Sequence, residues 1–165
     1  MTDLQLANAV TTAMCVELNE SLRRIHHCLD QLTDENISWR PRESMNSIAN
    51  LLLHLRGNVQ QWVISGVGGV DDSRVRQSEF DDRTSHTKEE LLSAIDGTVA
   101  AACDVIVGAT PEELARVRVV QGRKKVTGIL AIIHAITHFQ GHVQEIAHMT
   151  RILVGDDYAF AFVPE

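Results

Sequence analysis

Cysteine is scarce in this sequence and carries no pairing pattern. Cys15, Cys28 and Cys103 are odd in number, far apart and without a C-x-x-C motif. That excludes a cysteine-based disulfide or zinc framework and reads as reduced, buried thiols in a cytoplasmic protein. Positive charge is in short supply as well. Fifteen Lys and Arg against 22 Asp and Glu leave a formal charge of −7, which argues against a nucleic-acid partner, because neutralising phosphates needs a basic surface. No apolar run reaches the roughly 18 to 20 residues that span a bilayer, so no membrane partner is expected. The opening "MTDLQLANAV" carries an acid where a signal peptide carries a positive charge. Strand-like alternation is rare, and there is no internal repeat. Gly66, Gly68 and Gly69 follow a helical pattern, and no Gly-Lys-Ser/Thr follows them, so a phosphate loop is not indicated.

What the chain does contain is helical periodicity. At 165 residues, 44% hydrophobic and 22% charged, it reads as a single globular domain over 1–165 with a substantial core. Met14, Leu18, Leu22, Ile25, Leu29 and Leu32 recur at steps of three and four and mark a first amphipathic helix. A second begins near Asn46 or Ser47, either of which suits an N-cap before Ile48, Leu51, Leu52 and Leu55. Thr87 to Glu90 has capping-box spacing and opens a third, with Leu91, Leu92, Ile95, Val99, Cys103 and Ile106 on its core face. The fourth runs from about Thr127 to Val154 and is apolar on nearly every side, as in a helix buried in a bundle and a subunit interface. The expected fold is therefore all-α, a four-helix bundle. Its connections, 33–46, 67–86 and 109–126, are long enough for crossovers. Within the last, "TPEE" suits a helical turn capped by Thr110, and "RVRVVQGRKKV" suits a hairpin around Gln121 and Gly122. The hairpin's basic residues read as a solvated edge or as an anion site.

Histidine supplies the chemistry. "HAITHFQGH" places His134, His138 and His142 at steps of four on one helix. Each adjacent pair shares a face, but the outer two lie about 12 Å apart along the axis, too far to share one ion. His138 and His142 fall in one sector with Ala131, Ala135, Ile146 and Met149, which points them toward the bundle interior. Buried imidazoles need hydrogen bonds or a metal. His54, interrupting "NLLLHL" on the side shared by Leu51, Asn58 and Trp62, is the natural third ligand. Three His with open positions describe a catalytic-type Zn²⁺ site or a Ni²⁺ site completed by water. The alternative is that each histidine is a satisfied core residue. His134 suits either a substitute ligand or a supporting hydrogen bond; His26 and His27 are adjacent and point about 100° apart, so they are not a chelating pair, and His86 and His148 read as solvent-facing or structural.

These segments resemble the DinB-like (YfiT-like) superfamily of metal-binding four-helix bundles. The resemblance covers nearly the whole chain, through "WRP" at 39–41, "NSIANLLLHLRGNVQQW" at 46–62, "DDSRVRQSEF" at 71–80 and "HAITHFQGHVQEIAHMTRIL" at 134–153. It implies that His54, His138 and His142 bind one divalent ion. It also implies an up-up-down-down bundle and a homodimer. The chain departs from the family where Val143, Gln144 and Glu145 replace the usual Gly-Gln after the last His. A metal there would activate a water for hydrolysis or a low-molecular-weight thiol for S-transfer to a small-molecule substrate. The competing reading is a non-catalytic metal-binding bundle whose ion stabilises the fold. Glu145 is the candidate base, and Asn58 and Gln61 are candidate polar groups near the site. Arg74 and Arg76 read either as anion clamps over the mouth or as part of an Arg–Glu network with Glu79 that locks a loop.

Overall fold

The computed structural model describes residues 2–161. Helices α1 (Asp3–Leu29), α2 (Asp34–Ser38) and α3 (Ile48–Val59) come first, and a π-helical turn over Gln60–Ser65 extends α3. Next come α4 (Arg76–Asp81), α5 (Lys88–Gly108) and α6 (Pro111–Ala115), then strands β1 (Val117–Val120) and β2 (Lys124–Thr127), and finally α7 (Gly128–Val154). The four long helices α1, α3, α5 and α7 make the bundle. The long connections hold the short helices and the hairpin.

Local sequence sets the starts. Thr2, Thr33, Ser47, Thr87 and Thr110 each accept the N3 backbone N–H, and the N3 side chain returns to the cap N–H in every case. Two orphan donors are thereby satisfied at each helix start. Gln121 and Gly122 both adopt left-handed backbone (φ 57° and 65°) at the centre of a tight turn closed by the Arg123 N–H on the Val120 carbonyl, and three residues separate the paired Val120 and Lys124. Leu18, Ile25, Leu29, Leu51, Leu55, Ile95, Val99, Phe139 and Ile146 are buried where the four apolar stripes meet. Leu32 is buried as well, but it lies beyond the end of α1. By length and composition alone α5 would be able to cross a membrane. In the bundle its Leu91, Ile95, Val99, Ala102 and Ile106 face the core instead.

The order of directions differs from the up-up-down-down arrangement that the resemblance implies. α1 runs antiparallel to α5, since His26 meets Asp96 at 2.8 Å and Lys88 Nζ donates to the Leu29 carbonyl at 3.1 Å. It runs parallel to α7, with Glu17 against Gln140 and Cys28 against Thr150. α3 and α7 are antiparallel, with His54 beside His138 and Trp62 beside His134. The bundle is therefore up-down-down-up. The reason lies in the connections. Residues 30–47 turn the chain back at the end of α1, whereas 66–87 return along the whole of α3. Asn50, in the first turn of α3, donates to the carbonyls of Glu79 and Asp82 (2.8 and 3.1 Å), and Arg40 joins Asn50 and the Asp82 carbonyl. The returning strand is thus pinned, and α5 starts at the end where α3 started.

Candidate metal centre

Between α3 and α7 three imidazoles converge. His54 is buried at the middle of α3, 3% exposed, while His138 and His142 lie half-buried on successive turns of α7. One nitrogen from each ring lies within 4.8 Å of the other two, so the group has the shape to hold a metal ion. Ala131, Ala135, Ile146 and Met149 are buried as the helical wheel implies. The His pair itself flanks that stripe rather than entering the core, which leaves the site open along α7.

Each ligand orientation has a visible cause. His54 Nδ1 faces Glu79 Oε2 at 2.9 Å and Arg74 Nη2 at 3.1 Å; because Nη2 donates to Oε2 at 2.8 Å and an ionised carboxylate only accepts, Nδ1 carries the proton and Nε2 is bare. That bare nitrogen faces His138 Nε2 at 2.8 Å. His142 Nδ1 meets Glu145 Oε2 at 2.8 Å, which turns the opposite nitrogen toward the site. A carboxylate behind an imidazole is the usual support for a metal-ligating histidine. Glu79 is held in turn by Arg74, which donates to both of its oxygens (Nε–Oε1 2.7 Å, Nη2–Oε2 2.8 Å) and to Gln61 Oε1 at 3.0 Å. The Arg74 side chain is only 4% exposed. It is therefore a loop-locking residue behind His54, and the anion-clamp reading of Arg74 is corrected: its donors are spent inside the protein.

Charge states follow from these contacts. Burial first, then the neighbouring imidazoles, push His138 from its ordinary 6.5 down to about 4. Burial also lowers His54, against the opposing pull of Glu79. Burial alone would raise the Glu79 carboxyl, but hydrogen bonds from Arg74 and His54 hold it below the usual carboxylate range. The hydrogen bond from His142 holds Glu145 below that range too. His54 and His138 are thus neutral near pH 7, which is the form that ligates metals.

The other candidates divide. His134 is not brought into the cluster: it packs against Trp62 at a tilt of 36°, with ring centroids 3.8 Å apart, and lies parallel to His138 at 5.8 Å. Asn58 is buried one turn from His54, and its Oδ1 has no partner among the described residues. Gln61 donates to Asp72 and accepts from Arg74 and Gln121, so it ties the loop and the hairpin to the end of α3. Arg76 lies over the ring of Phe80, which in turn packs 4.7 Å from the His54 ring. Glu145 is engaged by His142 and so positions a ligand rather than standing free as a base. His26, His27 and His86 bond to Asp96, the Ala159 carbonyl and Asp82. Spacing alone does not disclose Glu79 as the partner of His54, since 25 residues separate them. Gly57 is a further hidden requirement. A Cβ there would overlap the Glu79 carboxylate and come within 2.9 Å of Arg74 Nε.

The family of proteins of unknown function DUF1572 matches this chain over residues 5–165. A conserved protein from Enterococcus faecalis has the same fold, with a TM-score of 0.76 at 16% identity over 89% of this chain and 98% of that one. A DinB-like protein from Bacillus subtilis, YjoA, gives a TM-score of 0.67 at 16% identity over 90% and 96%. No curated protein is a significant match.

Gly57→Ala should separate helix propensity from site geometry. Alanine favours an isolated helix by about 1 kcal/mol. Here it displaces Glu79, and Zn²⁺ affinity measured by competition with a chromogenic chelator should fall by roughly 10- to 100-fold. Acid should weaken the metal-free fold in a defined window. The unfolded chain binds a proton at His138 near 6.5, and the folded chain only near 4, so stability is undiminished above 6.5 and lost progressively as pH falls toward 4. Unfolding free energies from urea titration at pH 7.5 and 5 should differ less in His138→Gln than in wild type, by on the order of 1 kcal/mol.

Proposed function

The chain belongs to the DUF1572 family, a DinB-like family, and from that premise we propose that it is a divalent-metal-dependent enzyme acting on a small molecule. His54, His138 and His142 would hold the ion. The observation that carries this reading is the convergence of three imidazole nitrogens within 4.8 Å, two of the rings held by carboxylates on their far nitrogens. Neutral nitrogen donors in a partly open site fit Zn²⁺ or Ni²⁺.

Two features support a catalytic over a closed structural site. Glu145 and His134, the nearby groups able to complete the coordination shell, are engaged elsewhere, on His142 and on Trp62. The half-exposed flank at His138 and His142 gives a small molecule access. An ion bound there supplies Lewis acidity, lowering the pKa of a ligated water or thiol. The protein's own part is to orient and to exclude. Glu79 keeps the His54 proton on Nδ1, Arg74 keeps Glu79 ionised and in place, and Phe80 covers the His54 ring with apolar surface. The reaction class that follows is hydrolysis or S-transfer with a low-molecular-weight thiol. A homodimeric, cytoplasmic protein without nucleic-acid or membrane partners belongs to the same proposal.

Elemental analysis of untagged protein, purified without an immobilised-metal column, tests the site. About one Zn or Ni per chain is expected, lost in His54→Ala and His138→Ala but kept in His27→Ala, whose ring bonds to the Ala159 carbonyl. Full retention in both triad variants would overturn the assignment.

A further inference from the structure

Two cations that the ligand set does not use stand on either side of the triad, each mounted on an aromatic ring. On one side the Arg76 guanidinium lies 4.6 Å over Phe80, and Phe80 packs 4.7 Å from His54. On the other, Lys124 Nζ lies 5.3 Å over Trp62, Trp62 packs against His134, and His134 lies parallel to His138. Both cations are exposed, and among the described residues neither has a carboxylate partner. Arg74 differs, being buried and consumed by Glu79. A cation resting on a ring face keeps its outward N–H donors for a ligand.

Charge is segregated around Lys124. The stretch 116–125 carries Arg116, Arg118, Arg123, Lys124 and Lys125 with no acid, in a chain whose formal charge is −7. A purely protective strand edge needs charge but does not need it aimed at the site, whereas Lys124 turns onto Trp62 and, after burial, adds to what keeps His134 neutral. A second, independent observation points to a ligand. Asn58 Oδ1 and Trp62 Nε1, on residues 4% and 1% exposed, have no hydrogen-bond partner among the described residues. They follow His54 by one and two turns along α3. Buried polar atoms in a folded protein are normally paired, so an acceptor and a donor left over beside a candidate metal centre mark where a bound molecule pairs.

Resting on the metal-site reading above, we propose that the substrate is an anionic small molecule with an apolar body. Its acid group pairs with Lys124, Arg76 closes the opposite wall, and its apolar part lies along Phe80. Asn58 Oδ1 accepts from a substrate N–H or O–H, and Trp62 Nε1 donates to a substrate oxygen. The reacting end reaches the three histidines.

Titration of Co²⁺-loaded protein with 6-mercaptohexanoate and 6-mercaptohexanol tests this. Each thiol loses its proton to the buffer as sulfur ligates Co²⁺, and the visible spectrum reports the ligation without any turnover. The acid should bind roughly tenfold more tightly than the alcohol. In the double variant R76Q/K124Q the acid-to-alcohol ratio should fall to about 1, and in wild type it should shrink at about 1 M salt. Because the ratio is taken on the same protein sample, it cancels any loss of folded or loaded protein. The short acid 3-mercaptopropionate, unable to reach from the triad to Lys124, should show little dependence on the two substitutions. Equal binding of acid and alcohol in wild type, or a preference that survives in the double variant, would overturn the anionic-substrate inference while leaving the open metal site intact. Co²⁺ uptake with no spectral response to either thiol would overturn the open site itself, and this inference with it.

Discussion

Arg74 and Glu79 place opposite charges side by side, almost out of water, against a glycine on α3 and the ring of His54. Taking two charges from water carries a large desolvation cost, and a buried pair is weak evidence of added stability. What the pair does supply is a unique arrangement. The bidentate Arg74 contact fixes both oxygens of Glu79, the fixed carboxylate dictates which nitrogen of His54 bears the proton, and that choice leaves Nε2 free toward His138. Removing either partner leaves an uncompensated charge beside the ligand cluster.

The same contact joins topology to site. Glu79 reaches His54 only because residues 66–87 return along α3, and that return is also what makes the bundle up-down-down-up. Asn50 and Arg40 hold one end of the returning segment, and Arg74, Glu79 and Gln61 hold the other. The π-helical turn at Gln60–Ser65 lies at the far end of α3, where Gln61 meets the hairpin through Gln121. π-turns of this kind are frequent at functional sites. Hairpin, loop and α3 therefore meet around one buried polar network beside the three histidines.

Much of this was legible in the sequence, and the limits have physical causes. Periodicity located the four long helices. The Thr and Ser caps, Pro111 and the Gln121–Gly122 turn marked their neighbours, because these signals are local. The three histidines were legible too: steps of four put His138 and His142 on one face, and His54 broke an otherwise apolar stripe. Helix direction was not legible, since it depends on where a 20-residue connection is pinned rather than on any residue pattern within it. Phe80, Gly57 and the contact of Glu79 with His54 were hidden for the same reason: an Arg–Glu lock was readable, but its place behind the ligand arises only when the loop folds back. The helical wheel also treats His134 and His138 alike. Their separation depends on Trp62, which occupies the His134 ring from the opposite helix.

The most direct measurement is a crystal structure of Zn²⁺-soaked protein with anomalous data collected at the zinc edge. The account predicts one strong anomalous peak bonded to a nitrogen of His54, His138 and His142, with Glu79 and Glu145 still on the far nitrogens of their rings. A peak ligated by the Glu145 carboxylate to complete a closed protein shell, or zinc bound only away from the three rings, would contradict it.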